Sequence, residues 1–303
     1  MSKSLKFFLA SFALSMALGW GINAFQKSFD AYLNAQISKP LNEVMSFSKN
    51  RQQKKPELSL NSKAAISASI DSAGKKKFLY QNNIKEPLPI ASITKLMTAS
   101  VIFSDPVNFN SLKFFTISKT AADQGNTPYY GNLKAEETYT FDKLLELMLI
   151  YSSNDAAYAI AETMGIENFV NRMNEKVKEI ELANTYFFNS TGLDPKNGLT
   201  DESKNLNFST AEDLTILAEY ILNNYPAIFE LTAQGLPNIN LERDQKLIGG
   251  KTGFTKNAGG SIVFIFQDSD GKKIVNVILS AENEETRIEE MQKLVDWVND
   301  WYK

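Results

Sequence analysis

Ser92 and Lys95 stand three positions apart at the head of PLPIASITKLMTASVIF, a run from Pro87 to Phe103 that is otherwise almost entirely apolar. A lysine in such a run is costly unless its charge is removed or used. The residues that follow, Leu96, Met97, Ala99, Val101, Ile102 and Phe103, cover nearly every direction of a helix, and a helix that is apolar all round is a buried one. A spacing of three puts serine and lysine on one helix face. Burial disfavours the ammonium, so a neutral amine can take the serine proton and turn the hydroxyl into a nucleophile. The Ser92 N-H, in the first turn, is then available to an oxyanion. The competing reading is a surface helix start with a snorkelling lysine.

Context separates this pair from its copies. Ser46/Lys49, Ser72/Lys75 and Ser269/Lys272 share the spacing, but they lie in a polar stretch or in polar, Gly-containing turns where both groups would be hydrated. Two further segments could complete the chemistry. YSSND is a polar break between two apolar helices, from which Ser152 can relay a proton and Asn154 can hold Lys95 or a substrate amide. Helix capping by Asn154 or Asp155 would explain the same residues, and Ser59/Asn61 and Ser203/Asn205 repeat the spacing. GGKTGFT is sharper. Its glycines, Gly253 among them, let another backbone approach a strand edge, where Lys251 and Thr252 supply a cation and a hydroxyl for a carboxylate.

The chain has no histidine and no cysteine. A Ser-His-Asp triad, a thiol nucleophile, a zinc-thiolate site and a disulfide framework are therefore excluded. A net charge of −3 with both signs intermixed leaves no basic field, so nucleic acid is not an expected partner.

These groups need a scaffold, and 303 residues with 43% apolar content can build one. AAISASI and FLYQ flank a Gly-containing turn and read as a hairpin. The middle is helical: the Ser92 helix, TFDKLLELMLI, DAAYAIAETMG with Gly165 as its stop, a stretch from Ile166 to about Leu182, and STAEDLTILAEYILNNYP, opened by a Ser209/Glu212 capping box and closed by Pro226. From Gln245 three strands follow with short links, so they should pair antiparallel in sequence order. A last helix presents Ile288, Met291, Val295, Val298 and Tyr302 on one face to that sheet. Upstream, Lys6 and Lys27 bound an uncharged, mostly apolar segment long enough to cross a bilayer. Residues 1–26 are thus expected to be a membrane anchor or signal segment, 27–57 a polar stalk, and 58–303 the folded domain. The domain is expected on the extracytoplasmic face, anchored N-terminally or secreted after cleavage.

In the order Ser92-x-x-Lys95, Ser152-x-Asn154, Lys251-Thr252-Gly253, the segments resemble the motif set of penicillin-binding proteins and serine β-lactamases. IASITKLMTA, LLELMLIYSSNDAAYAIAE, NFSTAEDLTILA and GGKTGFTKNAGGSIVF are similar to the low-molecular-mass D-alanyl-D-alanine carboxypeptidases, over about residues 64–281. The resemblance implies an α/β (α+β) fold, an antiparallel sheet flanked by helices plus a helical lobe. It implies that Ser92 is acylated by a peptidoglycan stem peptide, with Lys95 as base, Ser152 as proton shuttle and Asn154 as a substrate and network contact. Lys251 and Thr252 would grip the terminal carboxylate, and the N-H groups of Ser92 and Phe254 would form the oxyanion hole. No cofactor or metal is implied, and β-lactam antibiotics would be acylating inhibitors. Ser153 stands where many relatives have glycine, and GLDPKNGLT lacks their histidine. The chain stops too soon after Gly253 for the C-terminal β-rich domain and anchor that many add, so the N-terminal segment is expected to attach it. Three alternatives share the scaffold: a DD-endopeptidase, a class A-like β-lactamase using Glu202 to activate water, and a noncatalytic sensor of β-lactam or cell-wall peptide.

Overall fold

The computed structural model describes residues 26–28, 30–31, 56–125, 131–195 and 205–302. The chain divides at Glu57/Leu58 into two units. The expected anchor and stalk fall almost wholly outside the described residues, as does Glu202. Among the described residues no helix is long and apolar enough to cross a membrane.

Within Leu58–Lys303 the centre is a five-stranded antiparallel sheet. Its strands are β1 (Ala64–Ile70), β2 (Lys76–Asn82), β3 (Lys246–Thr255), β4 (Gly259–Gln267) and β5 (Lys273–Ala281), in the spatial order β2-β1-β5-β4-β3. The hairpin β1/β2 and the sequential meander β3/β4/β5 form as the turn signals predict, and β5 joins them by pairing with β1. That leaves β3, the strand with the Lys-Thr-Gly run, at one edge. Every residue of β1 is buried, as a central strand covered on both faces must be.

Two cores sit on opposite faces of the sheet. Val263 and Ile265 of β4 and Val275, Val277 and Leu279 of β5 join the larger core with the helical layer. The alternate residues Ile262, Phe264, Phe266, Ile274 and Ile278 join the smaller one, with Met291, Leu294, Val295 and Val298. This period of two is why both faces must be covered. The helical layer comprises α1 (Thr94–Phe103), α2 (Phe141–Leu149), α3 (Asn154–Glu162), α4 (Ile166–Glu179), α5 (Ala211–Asn224) and the short α6 (Ala227–Thr232). Behind the sheet lies α7 (Glu284–Trp301), capped by Asn283, whose side chain accepts from Thr286 N-H at 2.8 Å. Glu284 and Glu285 occupy its first turn, where the helix dipole favours negative charge.

Two boundaries differ from the sequence reading. Thr210, not Ser209, caps α5, accepting from Asp213 N-H at 3.0 Å, because Ser209 is extended and pairs with Leu88. α3 ends at Glu162 with Thr163 as its C-cap, and Gly165, at φ +84°, instead occupies the N-cap of α4.

Candidate active site

Ser92 sits in a 3-10 turn, Ala91–Ile93, that runs directly into α1. Of α1 only Phe103 escapes full burial, so the all-round apolar pattern has its expected consequence. Lys95 is fully buried, with Nζ 2.9 Å from Ser92 Oγ, 2.7 Å from Asn154 Oδ1 and 2.7 Å from the Thr191 carbonyl. Burial disfavours the ammonium, and loss of the proton relieves that penalty. Burial, and then the charge of Lys251, hold Lys95 well below the ordinary lysine range.

The three neighbours also decide where the lone pair points. A neutral amine has two N-H bonds and one lone pair. Asn154 Oδ1 and the Thr191 carbonyl can only accept, so they take both N-H bonds. The remaining direction faces the Ser92 hydroxyl, which alone of the three can donate.

Ser152 occupies the link between α2 and α3 in a left-handed conformation, φ +61°, uncommon for a residue with a side chain. Its Oγ accepts from Lys251 Nζ at 2.9 Å. Ser153 caps α3, accepting from Ala156 N-H at 3.1 Å and donating to the Gly131 carbonyl. Capping therefore falls to Ser153 rather than to Asn154 or Asp155. Asn154 is free to face Lys95, and its Nδ2 donates to the Gly125 carbonyl at 3.0 Å. Buried Asp155 accepts from Gly125 N-H and Leu133 N-H, each at 2.9 Å.

β3 brings the third segment. Lys251 is buried, and its Nζ also donates to the Thr252 carbonyl at 3.1 Å. Burial, and secondarily the charge of Arg287, lower its pKa to about 7. Gly253 lets the strand lie against the nucleophile: a Cβ there would be 2.8 Å from the Ile90 carbonyl oxygen and 3.2 Å from Ser92 N. Gly192, at φ +83°, is tighter still, since its Cβ would be 1.9 Å from the Ala91 oxygen. Ser92, Ser152, Asn154, Thr252, Gly253 and Phe254 share the wall of one cleft of about 500 Å³. Segments remote in the chain thus converge, with Lys95 and Lys251 buried beneath them.

Sequence reasoning missed Arg287. It projects from α7 into the cleft wall, donates from Nη1 to the Gly253 carbonyl at 2.8 Å and from Nη2 to Glu284 at 2.8 Å. The available signal was a single arginine inside the acidic run Glu282 to Glu290. The Thr191 carbonyl was missed as well, because a backbone acceptor has no residue-type signature. Asp194 and Glu284 are carboxylates of the described cleft wall, and both are engaged: Asp194 by Thr255 Oγ1 at 2.9 Å and Asn257 Nδ2 at 3.1 Å, Glu284 by Arg287.

A family profile described as D-alanyl-D-alanine carboxypeptidase matches residues 49–283. The chain belongs to that family. D-alanyl-D-alanine carboxypeptidase DacC of Escherichia coli is 28% identical over 73% of this chain, which spans 58% of that relative's length. A D-alanyl-D-alanine endopeptidase of the same organism is 30% identical over 78% of this chain and 77% of its own. Among solved structures, a penicillin-binding protein of Listeria monocytogenes in its cefotaxime-bound form superposes with a TM-score of 0.66 at 26% identity, covering 80% of this chain and 98% of that one. The sheet and helical layer described above are thus shared with that penicillin-binding protein, in the α/β arrangement that the resemblance implies.

Proposed function

We propose that the chain is a serine DD-peptidase that trims peptidoglycan stem peptides, releasing the terminal D-alanine. The observation that carries this is the placement of Lys95 Nζ between two acceptors and the Ser92 hydroxyl. Ser92 Oγ attacks the carbonyl carbon of the penultimate D-alanine while its proton passes to Lys95. The oxyanion is held by the N-H groups of Ser92 and Phe254. The C-N bond then breaks as Ser152 gives its proton to the leaving amine and is reprotonated by the Lys95 ammonium, which returns to the neutral amine. Water hydrolyses the ester. Lys251, Thr252 and Arg287 gather around the carboxylate that follows the scissile bond. β-Lactams would acylate the same serine and act as inhibitors.

The test is labelling with a fluorescent penicillin, wild type against Ser92→Ala, followed by assay of D-alanine release from a pentapeptide. Labelling that survives in Ser92→Ala, or labelling with no D-alanine released, would overturn the carboxypeptidase reading. The resemblance to a named endopeptidase supports a second substrate, the cross-link, and a cross-linked dimer in the same assay ranks the two. Rapid penicillin turnover would favour the β-lactamase alternative.

The uncharged run between Lys6 and Lys27 supports attachment of residues 58–303 to the extracytoplasmic face of the membrane through residues 1–26, across the polar stretch 27–57. Protease protection of that segment in intact membranes, against release of a shortened soluble chain, separates anchoring from cleavage.

A further inference from the structure

The loop that supplies Thr191 to the lysine is organised by one side chain. Asn189 Oδ1 accepts from Thr191 N-H at 3.1 Å, from the Thr191 hydroxyl at 3.1 Å and from Gly192 N-H at 2.7 Å. Its Nδ2 donates to the Leu193 carbonyl at 3.1 Å. Four bonds from one amide thus fix the turn 190–193. The turn is in turn fastened to α1. Buried Asn207 accepts Asn189 N-H at 3.1 Å through Oδ1, and its Nδ2 donates to the Asn189 carbonyl and to Thr94 Oγ1, each at 2.9 Å. Thr94 precedes Lys95, so Asn189 and the lysine are held in one frame.

We propose that Asn189 is a positioning residue that aims the Lys95 lone pair at Ser92, by fixing the Thr191 carbonyl as one of the amine's two obligatory acceptors. This rests on the reading of Lys95 as the base. With the carbonyl displaced, one N-H of the neutral amine would lose its partner and turn to Ser92 Oγ. The serine would then accept from the lysine instead of donating to it, and the proton transfer that starts acylation would have no receiving orbital in line. Asn189 itself need touch neither substrate nor the reacting atoms.

The experiment compares the pH dependence of acylation by a fluorescent penicillin in wild type, Asn189→Ala and Asn189→Asp, with thermal unfolding of each. Asn189→Ala is expected to slow the acylation step about tenfold or more while penicillin's initial binding holds. Asn189→Asp keeps the acceptor oxygen that makes three of the four bonds and is expected to recover to within about threefold on the alkaline side. Its added carboxylate favours the Lys95 ammonium, so the acid limb should move up by about one pH unit. A purely structural asparagine would lower the unfolding temperature of Asn189→Ala and leave the acylation rate of the folded protein close to that of wild type. Asn189→Ala acylating within about threefold of wild type, or an Asp variant as slow as Asn189→Ala on the alkaline side, would overturn the proposal. If Asn189→Ala does not fold, Asn189→Ser, which also withdraws the amide, takes its place under the same criterion. A wild type that takes no penicillin at Ser92 would instead sink the assignment of the site, whatever the Asn189 variants do.

Discussion

Gly253 runs past Ser92 so closely that a methyl group on it would lie 3.2 Å from the serine amide nitrogen and 2.8 Å from the Ile90 oxygen. That amide is one of the two proposed oxyanion donors. Gly253→Ala should therefore push β3 away from the nucleophile, lowering acylation by about 100-fold at a stability cost of about 1–3 kcal/mol. Penicillin labelling and denaturant melts read the two effects separately.

Lys251 has a pKa of about 7, set first by burial and then by Arg287. Its positive charge, and with it the proposed hold on a substrate carboxylate, is present below that pH and lost above it. KM for a peptide with a free C-terminal carboxylate should rise as pH increases through about 7. The C-terminal amide of the same peptide should lack that dependence, and initial-rate kinetics on the pair check the assignment.

The same burial acts on stability. In the unfolded chain Lys251 keeps its proton up to the usual lysine range, so between about pH 7 and 10 the unfolded state binds more protons than the folded one. Folding is penalised at low pH, and the penalty fades as pH rises. Lys251→Met removes the group, so wild type should gain on that variant by up to about 1.4 kcal/mol per pH unit across this window. Paired urea melts at pH 7, 8 and 9 measure it.

Arg287 is joined to the strand through the Gly253 carbonyl and lines the cleft where Lys251 ends. Arg287→Lys keeps a charge but not the planar fork. KM for a carboxylate-terminated peptide should increase about tenfold or more, with little change for its amide.

Legibility in the sequence followed the physical nature of each feature. The buried helix behind Ser92 and the meander from Lys246 to Ala281 were readable, because apolar periodicity and turn residues are local signals. So were the three motifs as segments, although helix capping accounts for part of YSSND, through Ser153. The cap at Thr210 was misplaced by one position, since Ser209 satisfies the local rule equally well until its pairing with Leu88 is known. Thr191 and Asn189 were invisible, and Arg287 was marked only by its place in an acidic run, for another reason. Their roles come from where a backbone carbonyl, an amide and a guanidinium lie after distant segments pack, and no spacing along the chain encodes that.

Ser152 belongs to the link between two helices and Lys251 to the sheet, and a 2.9 Å hydrogen bond joins these two residues. The proposed proton relay therefore depends on how the two elements are held together. Mild denaturant that loosens this contact should reduce penicillin labelling while strand amides still resist exchange, so lost labelling would give early warning of melting.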